Sequence, residues 1–226
     1  MTIQSNGHEH ELEPQYGLPE RLPANERILW QGSPDAGVLA RSAFHIRKLT
    51  LYFAVLVAYH GLSVAAAGAT AVDVLLALAW PAGLSALALG GVWTLAWLSA
   101  RTAVYTVTDR RVVMRIGIVL TLTFNLPLRT IETAAMRQGP AGHGDIVLAL
   151  NGPDHIAWLH LWPHVRPWHL TRTQPMLRAL PQVAEVAAVL QRAWSAQTGV
   201  AVEPLSAPPA GQQAENSQQG LQPSMG

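Results

Sequence analysis

The chain has 226 residues, room for one or two modest domains. Half of them are hydrophobic and only 13% are charged, about half of the roughly 25% usual in a soluble domain, so lipid is the expected surroundings of part of the molecule. A formal net charge of +1 argues against a nucleic-acid binder, and the lack of any cysteine excludes disulfides, zinc-thiolate sites and thiol nucleophiles.

The N-terminal segment, residues 1–17, is polar and acidic and reads as a tail. It lacks the basic start and apolar core of a signal peptide. Residues 18–48 come next. Ile28, Leu29 and Trp30 form a short apolar run between Asn25 and Gly32-Ser33-Pro34, which predicts one strand. The stretch 36–49 is amphipathic, and Arg41, Arg47 and Lys48 give it a basic approach to lipid headgroups.

From Lys48 to Arg101 the single formal charge is Asp73. About 20 helical residues cross a hydrocarbon core of about 30 Å, so the span 49–100 fits two crossings and not three. The expected helices cover about 49–68 and 74–99, with Gly68, Thr70 and Asp73 in the turn. Asp73 then stands at a helix N-terminus, where a carboxylate suits the unpaired N–H groups. Pro81 falls in the first two turns of the second helix. The cations flank the pair and are missing from its turn, which puts both flanks in the cytoplasm and the turn outside. Trp93 and Trp97 suit an aromatic belt. Gly83, Gly90 and Gly91 offer small surfaces for a partner helix, or simply reflect a helix tolerant of Gly and Ala. His60, within the first helix, suits a pigment or polar partner, or is merely wetted near the outer turn.

Residues 101–199 read as a mostly β domain. "AVYTVTDRRVVMRIG" is strand, Asp109-Arg110 turn, strand. "IVLTLTFNLPL" alternates, with Ile118, Leu120, Leu122, Phe124 and Leu126 on one side. "DIVLAL", "NGPD" and "HIAWLHL" predict a hairpin over 145–161. "LPQVAEVAAVLQRAWSAQTG" predicts an amphipathic helix burying Val183, Val186, Leu190 and Ala193. The fold class expected is α+β: a two-helix transmembrane hairpin plus a cytoplasmic pleckstrin-homology-like β-barrel closed by a C-terminal helix. The early strand is expected to join that barrel, making the membrane hairpin an insertion. Residues 200–226, rich in Pro, Gln, Ser and Gly, read as a disordered tail.

The segment "HLWPHVRPWHL", residues 160–170, concentrates the candidate site residues. His160 and His164 have the spacing of two metal ligands on one helix face. Pro163 and Pro167 oppose such a helix, and no carboxylate follows before Glu185. A pigment ligand would need only one imidazole, but the segment lies outside the predicted lipid span. Neither a Gly-x-Ser-x-Gly elbow nor a carboxylate pair supports catalysis. What remains is a loop stiffened by proline, whose tryptophans either cap the barrel or meet a partner. Trp162, His164, Arg166 and Trp168, with Gly83 and Gly90 in the membrane, are the partner-binding candidates. Arg47, Lys48, Arg101, Arg110 and Arg111 are candidates for lipid headgroups. No catalytic, cofactor-binding or metal residue is assigned, and no cofactor is expected.

"YTVTDRRVVMRIG" followed by "NLPLRTIETA" resembles the bacterial pleckstrin-homology-like domains found beside membrane helices. The longer series "LPERLPANERILWQGSPD", "FHIRKLTLYF", "NLPLRTI", "GDIVLAL", "LHLWPHVRPW" and "PMLRALP" is similar to the PuhB family of photosynthetic complex assembly proteins of purple bacteria. It covers residues 18–195, and the tail after about 203 departs from it. The resemblance implies a non-catalytic factor of the bacterial inner (intracytoplasmic) membrane, and the placing of the cations puts both termini in the cytoplasm. Its partners would be reaction-centre subunits and the core antenna; the basic residues beside the helices add membrane lipids as an expectation, and the exposed sheet edge of a partly open barrel adds a second copy. The rival expectation is a membrane-anchored module that binds anionic lipid or acts as a scaffold.

Overall fold

The computed structural model describes residues 17–200 apart from 19, 21, 152–155 and 171. Both expected tails therefore lie essentially outside the described residues. Strand β1 (Ile28–Gly32) leads into a short helix α1 (Ala36–Ser42), then α2 (Ile46–Ala66) and α3 (Ala71–Thr102). Both long helices are apolar and long enough to cross a membrane, and they bury little of their surface against the rest of the molecule. Leu51, Tyr59, Leu75, Trp80 and Leu87 are all exposed, a surface that belongs in lipid rather than in water. Thr70 and Asp73 cap α3 reciprocally: the Thr70 hydroxyl accepts from Asp73 N, and the Asp73 carboxylate accepts from Thr70 N. Because α3 starts at Ala71, Pro81 sits deeper than expected, inside the third turn.

After α3 come β2 (Val104–Thr108), β3 (Arg111–Ile116) and β4 (Leu122–Pro127). Together with β1 they form a four-stranded antiparallel sheet in the order β1-β2-β3-β4. Trp30 lies opposite Val107 and Gly32 opposite Tyr105, so the membrane hairpin is inserted between two neighbouring strands of one sheet. The second sheet holds β5 (Ile131–Gln138), β6 (Gly144–Leu150) and β7 (Met176–Leu180) in sequence order. Helix α4 (Trp158–Leu161) is one turn in the β6–β7 connection, and α5 (Val183–Thr198) ends the described chain.

The closed barrel expected from the sequence is not formed. The two antiparallel sheets stay separate, because the chain leaves β4 at Pro127 and makes a 3-10 turn over Leu128–Thr130 before β5 begins. Proline cannot donate to a ladder, so pairing stops there. Helix α5 packs over the space between the sheets. Its Val183, Val186, Leu190 and Ala193 are buried in a core shared with Tyr105, Val107, Met114, Leu148 and Leu177.

The expected hairpin over 145–161 is also absent. β6 pairs with β5 on one edge and β7 on the other, leaving no edge for a strand at 155–161. Trp158–Leu161 is helical instead, and residues 152–155 are outside the described set.

Candidate partner-binding groove

The groove starts from α1, which wedges between the end of α3 and β7. Asp35 caps it: its carboxylate accepts from Val38 N at 2.8 Å, and its own N–H donates to the Ala179 carbonyl at 2.8 Å. Leu39 packs there with Ala100 and Ala179. Ala179 has a φ of +52°, a strained value for alanine. It is held by that bond and by Asp145, whose Oδ1 accepts from Ala179 N at 2.9 Å. The other oxygen of Asp145 accepts from Arg137 at 2.8 Å.

The β6–β7 connection folds back over this junction. Its two arms are tied together: Arg166 N donates to Gln174 O at 3.0 Å, the Arg166 guanidinium to Gln174 Oε1 at 2.9 Å, and Met176 N to His164 O at 3.0 Å. The arms converge on a tip at Pro167-Trp168, where Trp168 is 92% exposed with φ +65°. Trp162 is 46% exposed and meets the edge of Phe44, just ahead of α2, at 5.3 Å between ring centres. Trp162, Arg166 and Trp168 rim a groove of about 760 Å³ whose floor includes Met136, Val147, Met176 and Arg178, and whose membrane side is Ala43 and His45.

His164 does not face the groove as a contact residue. It is 1% exposed, with Nδ1 2.5 Å from the Tyr105 hydroxyl. Burial, helped by the positive charge of Arg178, lowers its pKa to about 3, so the ring is neutral. Tyr105 Oη accepts from Arg178 N at 3.3 Å, which leaves its own proton for His164 Nδ1. Burial pushes the Tyr105 phenol up and the Arg178 guanidinium down, the nearby Asp145 charge opposing the latter. Arg178 donates to the Pro163 carbonyl at 3.0 Å. Three of the four loop candidates are thus brought together, and the fourth is a strut beneath them. Sequence reasoning missed Tyr105, Asp145, Arg178 and Ala179. The one signal for them was an arginine inside the apolar run "MLRAL".

The remaining candidates fall in separate places. Gly83 and Gly90 lie on α3 with open space where a side chain would be, whereas Gly61 of α2 faces Leu78 of α3. Arg47 and Lys48 are exposed in the first turn of α2, and Arg101 lies 5.3 Å over the Trp97 ring in the last turn of α3. Arg110 and Arg111 are at the end of β2 remote from α3, about 16 Å away at the usual rise of a strand. Arg111 is engaged by Glu26, at 2.8 and 3.0 Å. His60 is exposed on α2. His160 is exposed while His164 is buried, so the two cannot share an ion. Among the described residues no group of three His, Asp or Glu could hold a metal.

A family model described as a bacterial PH domain matches residues 52–194. The chain belongs to the bacterial PH domain family. The match begins inside α2, so β1 of this PH domain lies ahead of it. The chain is also 37% identical over 199 residues to a protein of Rhodobacter capsulatus, covering 84% of this chain and 89% of that one. That protein is described as an uncharacterized 23.7 kDa protein in the puhA 5′ region. No solved structure matches the chain.

Proposed function

We propose that this PH-domain protein is a non-catalytic assembly factor for the bacterial photosynthetic reaction centre and its core antenna, as its resemblance to the PuhB family implies. The relative from the puhA region supports the photosynthetic setting. The observation that carries the binding role is the exposed Trp168, held on a stiffened tip beside a groove and close to the start of α2. Tryptophan and arginine so displayed, on a loop with little freedom left to lose, are what a protein partner uses as anchors. The groove would take a cytoplasmic segment of a subunit, and the Gly83 and Gly90 face of α3 would take its membrane helix. On this reading the hairpin sits in the inner membrane with both termini cytoplasmic.

The test is the near-infrared spectrum of membranes from a strain lacking the gene, complemented with wild type or with Trp168→Ala. Loss of reaction-centre and core-antenna bands in the deletion, restored by wild type and poorly by the variant, is the expected result. An unchanged spectrum in the deletion removes the assembly role. The rival headgroup reading draws support from Arg47, Lys48 and Arg101, which flank the spanning helices, and gains none from the distant Arg110 or the Glu26-bound Arg111. Pairing of a second copy along the open edge of β4 or β5 is checked by crosslinking in native membranes, where monomer alone rules it out.

A further inference from the structure

The connection between β3 and β4 carries Ile118, Val119 and Leu120, of which Val119 is 91% and Leu120 78% exposed. Three consecutive aliphatic residues held open to water at a turn tip call for a partner. The tip has a defined shape. Gly117 has φ +126°, and a side chain there would overlap the Leu120 carbonyl, so the turn is built around a glycine.

The sheet register fixes which end of the domain it occupies. Val104, two residues past the end of α3, lies opposite Arg115, and Ile116 lies opposite Leu122. The tip is therefore at the end of the first sheet where α3 arrives. Trp97 and Arg101, stacked together, mark the level at which α3 leaves the hydrocarbon. From Trp97 to Thr102 is about 8 Å along the helix. Because Ile116 pairs with Leu122, Val119 is the apex and stands at most four residues past Arg115, about 13 Å along a strand. Val104, opposite Arg115, is about 8 Å from the level of Arg101 and about 14 Å from that of Trp97, so the tip has the reach to return between the two.

We propose that Ile118, Val119 and Leu120 insert into the boundary between headgroups and acyl chains, in the leaflet from which α3 emerges. The occupant is the bilayer itself, continuous with the surface that α2 and α3 already bury in it. The PH domain then has a membrane contact beyond its helices, at the end of the first sheet where α3 passes through Ala103 into β2.

The chain has no cysteine, so a lone one can be placed at will. The experiment uses the full chain with Val119→Cys, labelled with a nitroxide, in nanodiscs of phosphatidylcholine and phosphatidylglycerol holding one copy each. Collision with oxygen, which concentrates in lipid, is compared with collision with a water-soluble nickel chelate. Arg110→Cys, at the other end of β2, is the water-exposed reference, and Leu120→Cys repeats the measurement should the first variant express poorly. The expected result is a chelate accessibility several-fold below that at position 110, with oxygen accessibility several-fold above it. Equal values at 119 and 110 overturn the proposal. So does a site shielded from both reagents, which would mean that protein covers the tip.

Discussion

The first sheet is continuous with the membrane helices on both sides of the insertion. β1 runs through residues 33–35 into α1, and α3 passes into β2 with only Ala103 between them. The second sheet has no such covalent tie. Its link to the hairpin is the contact of α1 with β7, centred on Ala179, and the edge of Trp162 on Phe44. Yet the second sheet forms the floor of the groove. A groove whose position depends on a few non-covalent contacts keeps its shape only if those contacts are rigid, and the buried group of Tyr105, Asp145, His164 and Arg178 lies beside them. Hydrogen bonds from Tyr105 to His164, from Arg178 to the Pro163 carbonyl and from Ala179 N to Asp145 tie this group together in low dielectric, and such a buried network favours one arrangement over many.

Acid is expected to break this contrast most strongly. His164 is neutral in the fold with a pKa of about 3, against an ordinary value of 6.5. Between those values the unfolded chain binds the extra proton, so stability is full above pH 6.5 and falls as pH drops toward 3. The slope is at most about 1.4 kcal/mol per pH unit for one group. Thermal unfolding followed from pH 7 to pH 4 checks this, and His164→Gln should flatten the dependence. Asp145→Ala comes next. It leaves the Ala179 N–H without its acceptor and frees Arg137, and should lower stability by roughly 2 to 3 kcal/mol with the second sheet loosening first. Hydrogen exchange resolved by segment would show β6 and β7 losing protection ahead of β2 and β3, and uniform loss would contradict the asymmetry. Tyr105→Phe removes one hydroxyl from two partners and should cost about 1 to 2 kcal/mol in the same assay. The smallest stability effect is expected for Trp168→Ala, within about 0.5 kcal/mol, because almost nothing packs on that ring. A large stability loss there would mean that Trp168 is structural, and the assembly role assigned to it would fall.

How much of this was legible beforehand varied with the kind of signal. The two long apolar helices were visible because a long stretch whose single formal charge is Asp73 suits helices able to cross a membrane. The β2–β3 hairpin and the buried face of α5 announced themselves by turn residues and helical spacing. β5 did not, since "IETAAMRQ" buries little beyond Ile131 and carries no alternation to detect. β7 was hidden by Arg178, a charge in a strand that proves to be fully buried. "HIAWLHL" misled because period-two alternation over seven residues does not by itself exclude a helical turn. Of the groove, the rim residues Trp162, Arg166 and Trp168 are brought together by a segment whose unusual composition singled it out. The inward turn of His164, and the arginine beneath it, depend on pairing between β7 and β6 that no local pattern encodes.

The insertion of α2 and α3 between β1 and β2 also orders events during synthesis. Residues 33–103 separate the last residue of β1 from the first of β2. At about 5 to 20 residues per second that is roughly four to fourteen seconds of waiting for β1. With α2 and α3 spanning a bilayer, as their length and apolar surface allow, its partner strand would reach the same side only after the second helix had crossed back. A chain that stalls with one helix inserted leaves β1 and β2 on opposite sides and can build no first sheet. A folded first sheet would therefore be a certificate of completed insertion, since β1 and β2 meet only once the whole of α2 and α3 has been placed.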